Sequence, residues 1–123
     1  MARRRRKWWW WAVAAYAILV FILSVVPVDL GPAAPRHLDK VAHLCEYLVF
    51  AWILLQAIRA THLHEHDDLL WAWSYATSYG VLMEIIQMMV PWRSAELADA
   101  LANAVGAALG VWLGQRTGRW LMD

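Results

Sequence analysis

The sequence predicts an all-α membrane protein, a four-transmembrane-helix bundle with both termini cytoplasmic. Three observations carry that expectation. The chain is 62% apolar and only 17% charged, where an ordinary soluble domain carries roughly 25% charged residues. Its apolar residues fall into runs of membrane-crossing length, about 20 residues each, parted by Pro, Gly or polar stretches. Its Lys and Arg are unevenly shared between the connections. Ten tryptophans in 123 residues would be hard to bury in one small water-soluble core, and the mean hydropathy is +0.40. A soluble enzyme domain, a disordered tail and a disulfide-stapled module are excluded. The single cysteine, Cys45, cannot form an internal disulfide.

The first span is expected at 8–28. It carries no charge from Trp8 to Val28 and is closed by Pro27 and the Asp29-Leu30-Gly31-Pro32 stretch. That length exceeds a usual signal-peptide core, so the segment is read as a retained helix. The second span, about 40–58, ends at Arg59, and the polar run Thr61 to Asp68 follows. The third, 69–90, is cut by Pro91. The fourth, 97–114, returns to water at Gln115, Arg116 and Arg119. No repeat or composition break divides the chain, so residues 1–123 are read as one domain.

Basic residues stay on the cytoplasmic side and tryptophans settle at headgroup level. Arg3, Arg4, Arg5, Arg6 and Lys7 precede Trp8 to Trp11, and with Arg59, Arg116 and Arg119 they form the larger basic set. Arg36, Lys40 and Arg93 form the smaller. This places the N-terminus inside a cytoplasmic (inner) membrane and makes the protein multi-pass. Arg beside Trp can also grip nucleic acid, but the apolar run begins at once, so no nucleic-acid partner is expected.

Polar residues interrupt the later spans. Asp39, His43 and Glu46 lie within about 60° of one another on a helix, beside Lys40 and Tyr47. Glu84 and Gln87 stand one turn apart with Gly80 on the same side, and Asp99 shares a face with Asn103. Arg93 and Ser94, in the connection between the last two spans, reach the same region; Ser94 can cap the helix beyond it. Charges in apolar surroundings are costly unless paired, so these groups should face one another in an outward-facing cluster. Such residues can serve only as glue between helices. Their number on three helices favours a ligand site.

Gly106, Gly110 and Gly114, at four-residue spacing, form a close-approach face. Its partner is expected inside the bundle, with a homo-oligomer as the alternative. His62, His64 and His66, with Glu65, Asp67 and Asp68, match no closed zinc site. No metal set, cofactor motif, phosphate loop or nucleophile elbow is read from the chain.

The run Asp39-Lys40-Val41-Ala42-His43-Leu44-Cys45-Glu46-Tyr47 resembles the DK-x-x-H-x-x-x-Y stretch of VanZ-like membrane proteins. Gly80 to Gln87 is similar to their G-x-x-x-E-x-x-Q helix, and Arg93-Ser94 with Asp99 to Gly106 to their R-S…D-x-x-x-N-x-x-G segment. Ala51-Trp52 departs from the glycine-containing step of many members. The namesake is linked to resistance to the lipoglycopeptide antibiotic teicoplanin, so the resemblance implies a cell-envelope role with an antibiotic-resistance phenotype.

Three functional readings remain open. The favoured one is lipid binding in the broad sense: a membrane lipid, lipid-linked envelope component or lipoglycopeptide held by Lys40, Glu46, Tyr47, Gln87, Arg93, Ser94, Asp99 and Asn103, with Arg gripping a phosphate. The second is an intramembrane enzyme with His43 as acid/base, Asp39 or Glu46 orienting it, Glu84 as second carboxylate and Arg93 steadying phosphate charge. Cys45 points away from His43 and is no nucleophile for it. The third is proton-linked transport through Glu84, His43 and Asp99.

Overall fold

The computed structural model describes residues 2–26, 36–92 and 96–122, with side chains for 7–26, 38–92 and 96–117. Four helices follow in order: α1 (Ala2–Val25), α2 (Arg36–Ala60), α3 (Asp68–Met88) and α4 (Leu97–Met122). No strand occurs among the described residues. By length and composition, three of the helices can cross a membrane, at Lys7–Val25, Leu38–Ala60 and Leu97–Thr117.

The third helix differs from the span expected at 69–90. It is not among the helices long and apolar enough to cross, because Ser74, Tyr75, Thr77, Ser78, Tyr79, Glu84 and Gln87 interrupt its apolar run. Its inward stripe explains part of this polarity. Ala72, Ala76, Gly80, Met83, Glu84 and Gln87 are buried at three- and four-residue steps, so one face packs against the other helices.

The second helix is the hub. It packs against all three others, and its interface with α4 is the most extensive, while α1 and α4 do not touch among the described residues. Tyr47, Phe50, Ala51, Leu54, Leu55 and Ile58 of α2 form the centre of the core. The glycine stripe of α4 makes the close approach possible. A Cβ at Gly106 would collide with the carbonyl oxygen of Leu44 and stand 2.9 Å from its carbonyl carbon; at Gly110 it would meet the Leu48 carbonyl in the same way. At Gly114 it would lie 2.8 Å from Leu55 Cδ2. The stripe is therefore the seam between α4 and α2 of one chain. Within the chain, α2 lies against Gly106, Gly110 and Gly114, as expected for a partner inside the bundle.

Helix ends are closed by specific bonds. The last carbonyls of a helix lack partners within it. In α1, Ser24 O accepts from Gln87 Nε2 at 3.2 Å and Val25 O from Trp92 Nε1 at 2.8 Å. The α2 terminus closes as a Schellman turn: Leu63 N–H donates to Ile58 O and His62 N–H to Arg59 O. His62 there takes the left-handed conformation (φ 54) more usual for glycine. The outward surface stays apolar, with Ile18, Phe21, Leu82, Ile85, Leu101 and Val105 exposed. A surface of that kind is suited to lipid rather than water.

Candidate functional site

At the end of the bundle where α2 and α4 begin and α3 finishes, polar side chains from these helices stack in layers. The deepest layer joins Tyr47 of α2 and Asn103 of α4 beside Gly80 of α3. A Cβ at Gly80 would stand 3.1 Å from both Asn103 Nδ2 and Tyr47 Cε1, so the missing side chain makes room for the two polar groups. Above it lie His43, Glu84 and Asp99. The Glu84 carboxylate is within electrostatic reach of Asp99, His43 and Asp39, and Asp99 is within reach of His43, Asp39, Lys40 and Glu96.

The mouth is formed by Asp39, Lys40 and Glu96. Lys40 Nζ lies 2.9 Å from Glu96 Oε2 and 3.7 Å from Asp99 Oδ1. It is therefore hydrogen-bonded to the exposed carboxylate and only near the buried one. His43 Nε2 stands 3.7 Å from Asp39 Oδ2, beyond hydrogen-bond distance.

The buried groups are deeply enclosed yet unsatisfied. Glu84 is 8% exposed, Asp99 3% and Asn103 1%. Among the described residues, both Glu84 oxygens, Asp99 Oδ1, both amide atoms of Asn103, the Tyr47 hydroxyl and His43 Nδ1 have no hydrogen-bond partner. Native proteins leave few buried polar atoms in that state, and here they share one region.

The structure divides the residues singled out from the sequence. Asp39, Lys40, His43, Tyr47, Glu84, Asp99 and Asn103 come together. Glu46 turns aside: its electrostatic neighbours are Tyr16, Tyr47 and Tyr79, and Tyr16 Oη donates to its backbone carbonyl at 2.7 Å. Gln87 uses its amide N–H on the end of α1 instead of turning it into the cluster. Arg93 and Ser94 lie outside the described residues.

Three polar residues escaped the sequence reading. Glu96, partner of Lys40, sits just before the fourth span, and its signal was an acidic residue beside Arg93 and Ser94. Gln56 and Thr77 each hold buried side-chain atoms without a partner, and Gln56 was visible as a lone amide in an apolar run. The loop histidines separate. His62 Nδ1 lies 3.1 Å from Glu65 Oε1, while His64 stacks on Trp71 at 4.2 Å between centroids and contacts the Tyr75 hydroxyl at 3.0 Å.

Ligand-type atoms instead gather at the polar end. Asp39, His43 and Asp99 each offer one, and these lie within 4.8 Å of one another. The sequence reading expected no metal there.

Membrane-length helices with polar side chains buried at one end of the bundle define the class: a small helical membrane protein. A family model described as VanZ/LLP1 matches residues 1–117. The chain belongs to the VanZ/LLP1 family. No curated protein and no solved structure matches it.

Proposed function

We propose that the chain is a cell-envelope protein that binds the headgroup of a membrane lipid, a lipid-linked sugar or a lipoglycopeptide in the notch between α2, α3 and α4. In this reading all four helices cross the membrane, both termini are cytoplasmic and the notch faces outward. One observation carries the proposal: the polar atoms of Tyr47, Glu84, Asp99 and Asn103 converge without bonding one another. Interhelical glue would spend these groups on each other. A site for a polar headgroup keeps them for the ligand.

Their chemistry narrows the ligand. Buried carboxylates accept hydrogen bonds, so the matching groups are donors: hydroxyls, amides or an ammonium. Lys40 is engaged by Glu96, which leaves Arg93 as the residue proposed for an anionic part of the headgroup. Below the Tyr47 and Asn103 layer the described core buries no charged side chain beside Phe50, Leu54 and Ala107, and its buried unpartnered polar atoms are the neutral ones of Thr77 and Gln56. That closed floor suits binding at one end better than a proton relay between the two faces.

The test compares Glu84→Gln and Asn103→Ala with the wild type at matched abundance in nanodiscs, scoring a fluorescent lipoglycopeptide and a lipid-linked disaccharide as probes. Both variants are expected to stay folded and to lose binding of the same probe. Loss of binding that only tracks loss of folded protein would return these residues to a packing role.

A further inference from the structure

We infer that Asp39, His43 and Asp99 form a binding site for a divalent first-row transition cation, with Glu84 as the carboxylate behind it. The ligand-type atoms of the three residues already lie within 4.8 Å of one another, and His43 Nε2 is 3.7 Å from Asp39 Oδ2. Two ligands on a tetrahedral ion with bonds of about 2.1 Å lie roughly 3.4 Å apart. Small side-chain rotations therefore close the set around one ion, without backbone movement.

Proximity of acidic groups alone would not distinguish a cation site from a solvated surface. The buried carboxylates make the difference. Glu84 is more than nine-tenths buried, no side chain hydrogen-bonds either of its oxygens, the backbone of Glu96 approaches it, and Asp99 is its strongest charged neighbour. Asp99 is buried as deeply, and its Oδ1 has no hydrogen bond. Carboxylates held this way need a positive charge nearby. Lys40 gives its hydrogen bond to Glu96 and forms only a longer, 3.7 Å ion pair with Asp99, and it is not among the charges that act on Glu84.

The donor set points to the ion class. One imidazole with two carboxylates suits Mn²⁺ or Zn²⁺ better than Mg²⁺ or Ca²⁺, which favour all-oxygen surroundings. A metal-bound imidazole ordinarily gives its other N–H to a carboxylate, which fixes the ring. Glu84, within electrostatic reach of His43, is the carboxylate on the buried side. The set also has an entrance: the Asp39 side chain is exposed, His43 mostly covered and Asp99 enclosed. An ion can thus be captured at the mouth and drawn inward. The ion site shares Asp99 and Glu84 with the headgroup reading, but its test is separate, because an ion can bind with no lipid ligand present.

The experiment uses the tag-free full-length chain in detergent, stripped with a chelator and titrated with Mn²⁺, Zn²⁺ and Mg²⁺ by calorimetry, with bound metal counted after dialysis. One Mn²⁺ or Zn²⁺ per chain is expected, with Mg²⁺ weaker. His43→Ala and Asp99→Asn should abolish that binding, and Glu84→Gln should weaken it roughly tenfold or more. Asp39→Asn, at an exposed position, keeps the protein folded and must also weaken binding. Replacing His62, His64 and His66 together should change nothing. Failure of the wild type to bind either ion overturns the site, as does binding that survives Asp39→Asn or vanishes with the loop histidines. Headgroup probes titrated with and without chelator then report on the proposed function separately.

Discussion

Replacing Gly106 by alanine tests the seam on which the polar site depends. In an isolated helix the change is favourable by about 1 kcal/mol, since glycine is the poorer helix former. In this bundle the new methyl would collide with the Leu44 carbonyl oxygen and lie 2.9 Å from its carbon. Ordinary carbon contacts fall at about 3.5–4.0 Å, so α4 must move off α2 by most of an ångström. The obstacle is backbone and cannot rotate away. Overpacking of this kind costs about 1–3 kcal/mol, and a backbone clash belongs near the upper figure. After the propensity gain, Gly106→Ala should destabilise the fold by about 2 kcal/mol. Reversible unfolding in mixed micelles, followed by far-UV circular dichroism, measures it. Ala108→Gly, on an exposed face of the same helix, should cost about 1 kcal/mol through propensity alone. A neutral or stabilising Gly106→Ala would refute the close α2–α4 approach and the site geometry built on it.

Other perturbations probe different parts of the molecule. Gln87→Leu and Trp92→Phe each remove a donor to the last carbonyls of α1, and each should cost about 1 kcal/mol in the same unfolding assay; no effect from either would mean that α1 is not fastened there. His62→Gly relieves a left-handed non-glycine residue and should raise stability by about 1 kcal/mol, which a drop in the unfolding midpoint would contradict. For topology, a reporter after Asp123 is expected in the cytoplasm and a tag between Gly31 and Arg36 outside; a translocated C-terminal reporter would reverse the outward placement of the notch.

Three membrane-length helices were legible because such helices advertise themselves by length and by the absence of charge, whereas the expected third span, 69–90, is a helix too interrupted by polar residues to count among them. The helix ends were less legible. The α1 helix runs back through Arg3 to Lys7 and α4 runs on to Met122, since a helix does not stop where hydrophobicity does. Polar positions on α2 could be grouped by angle, but the angle does not say which neighbour lies in that direction. Asp39 and His43 face α3 and α4, whereas Glu46, close in angle, faces Tyr16 and Tyr79. Gln87 followed the same pattern: its periodicity put it beside Glu84, and only the position of α1 reveals the Ser24 carbonyl that it meets. Asp99 beside Asp39 and His43 joins residues far apart in sequence, and no spacing along one helix encodes such a meeting.

The central position of α2 also constrains the order in which the molecule is made. Translation delivers α4 after the other three helices, yet α4 forms the most extensive interface, against a face of α2 completed well before it. Until then, the ledge at Leu44 and Leu48 stays open and the carboxylate and imidazole on α2 lack their fourth-helix counterpart. A nascent chain halted after α3 is thus a receptive half. It should accept an α4 peptide supplied separately and regain the site, and an incomplete chain presents to membrane proteases the groove that the finished one hides.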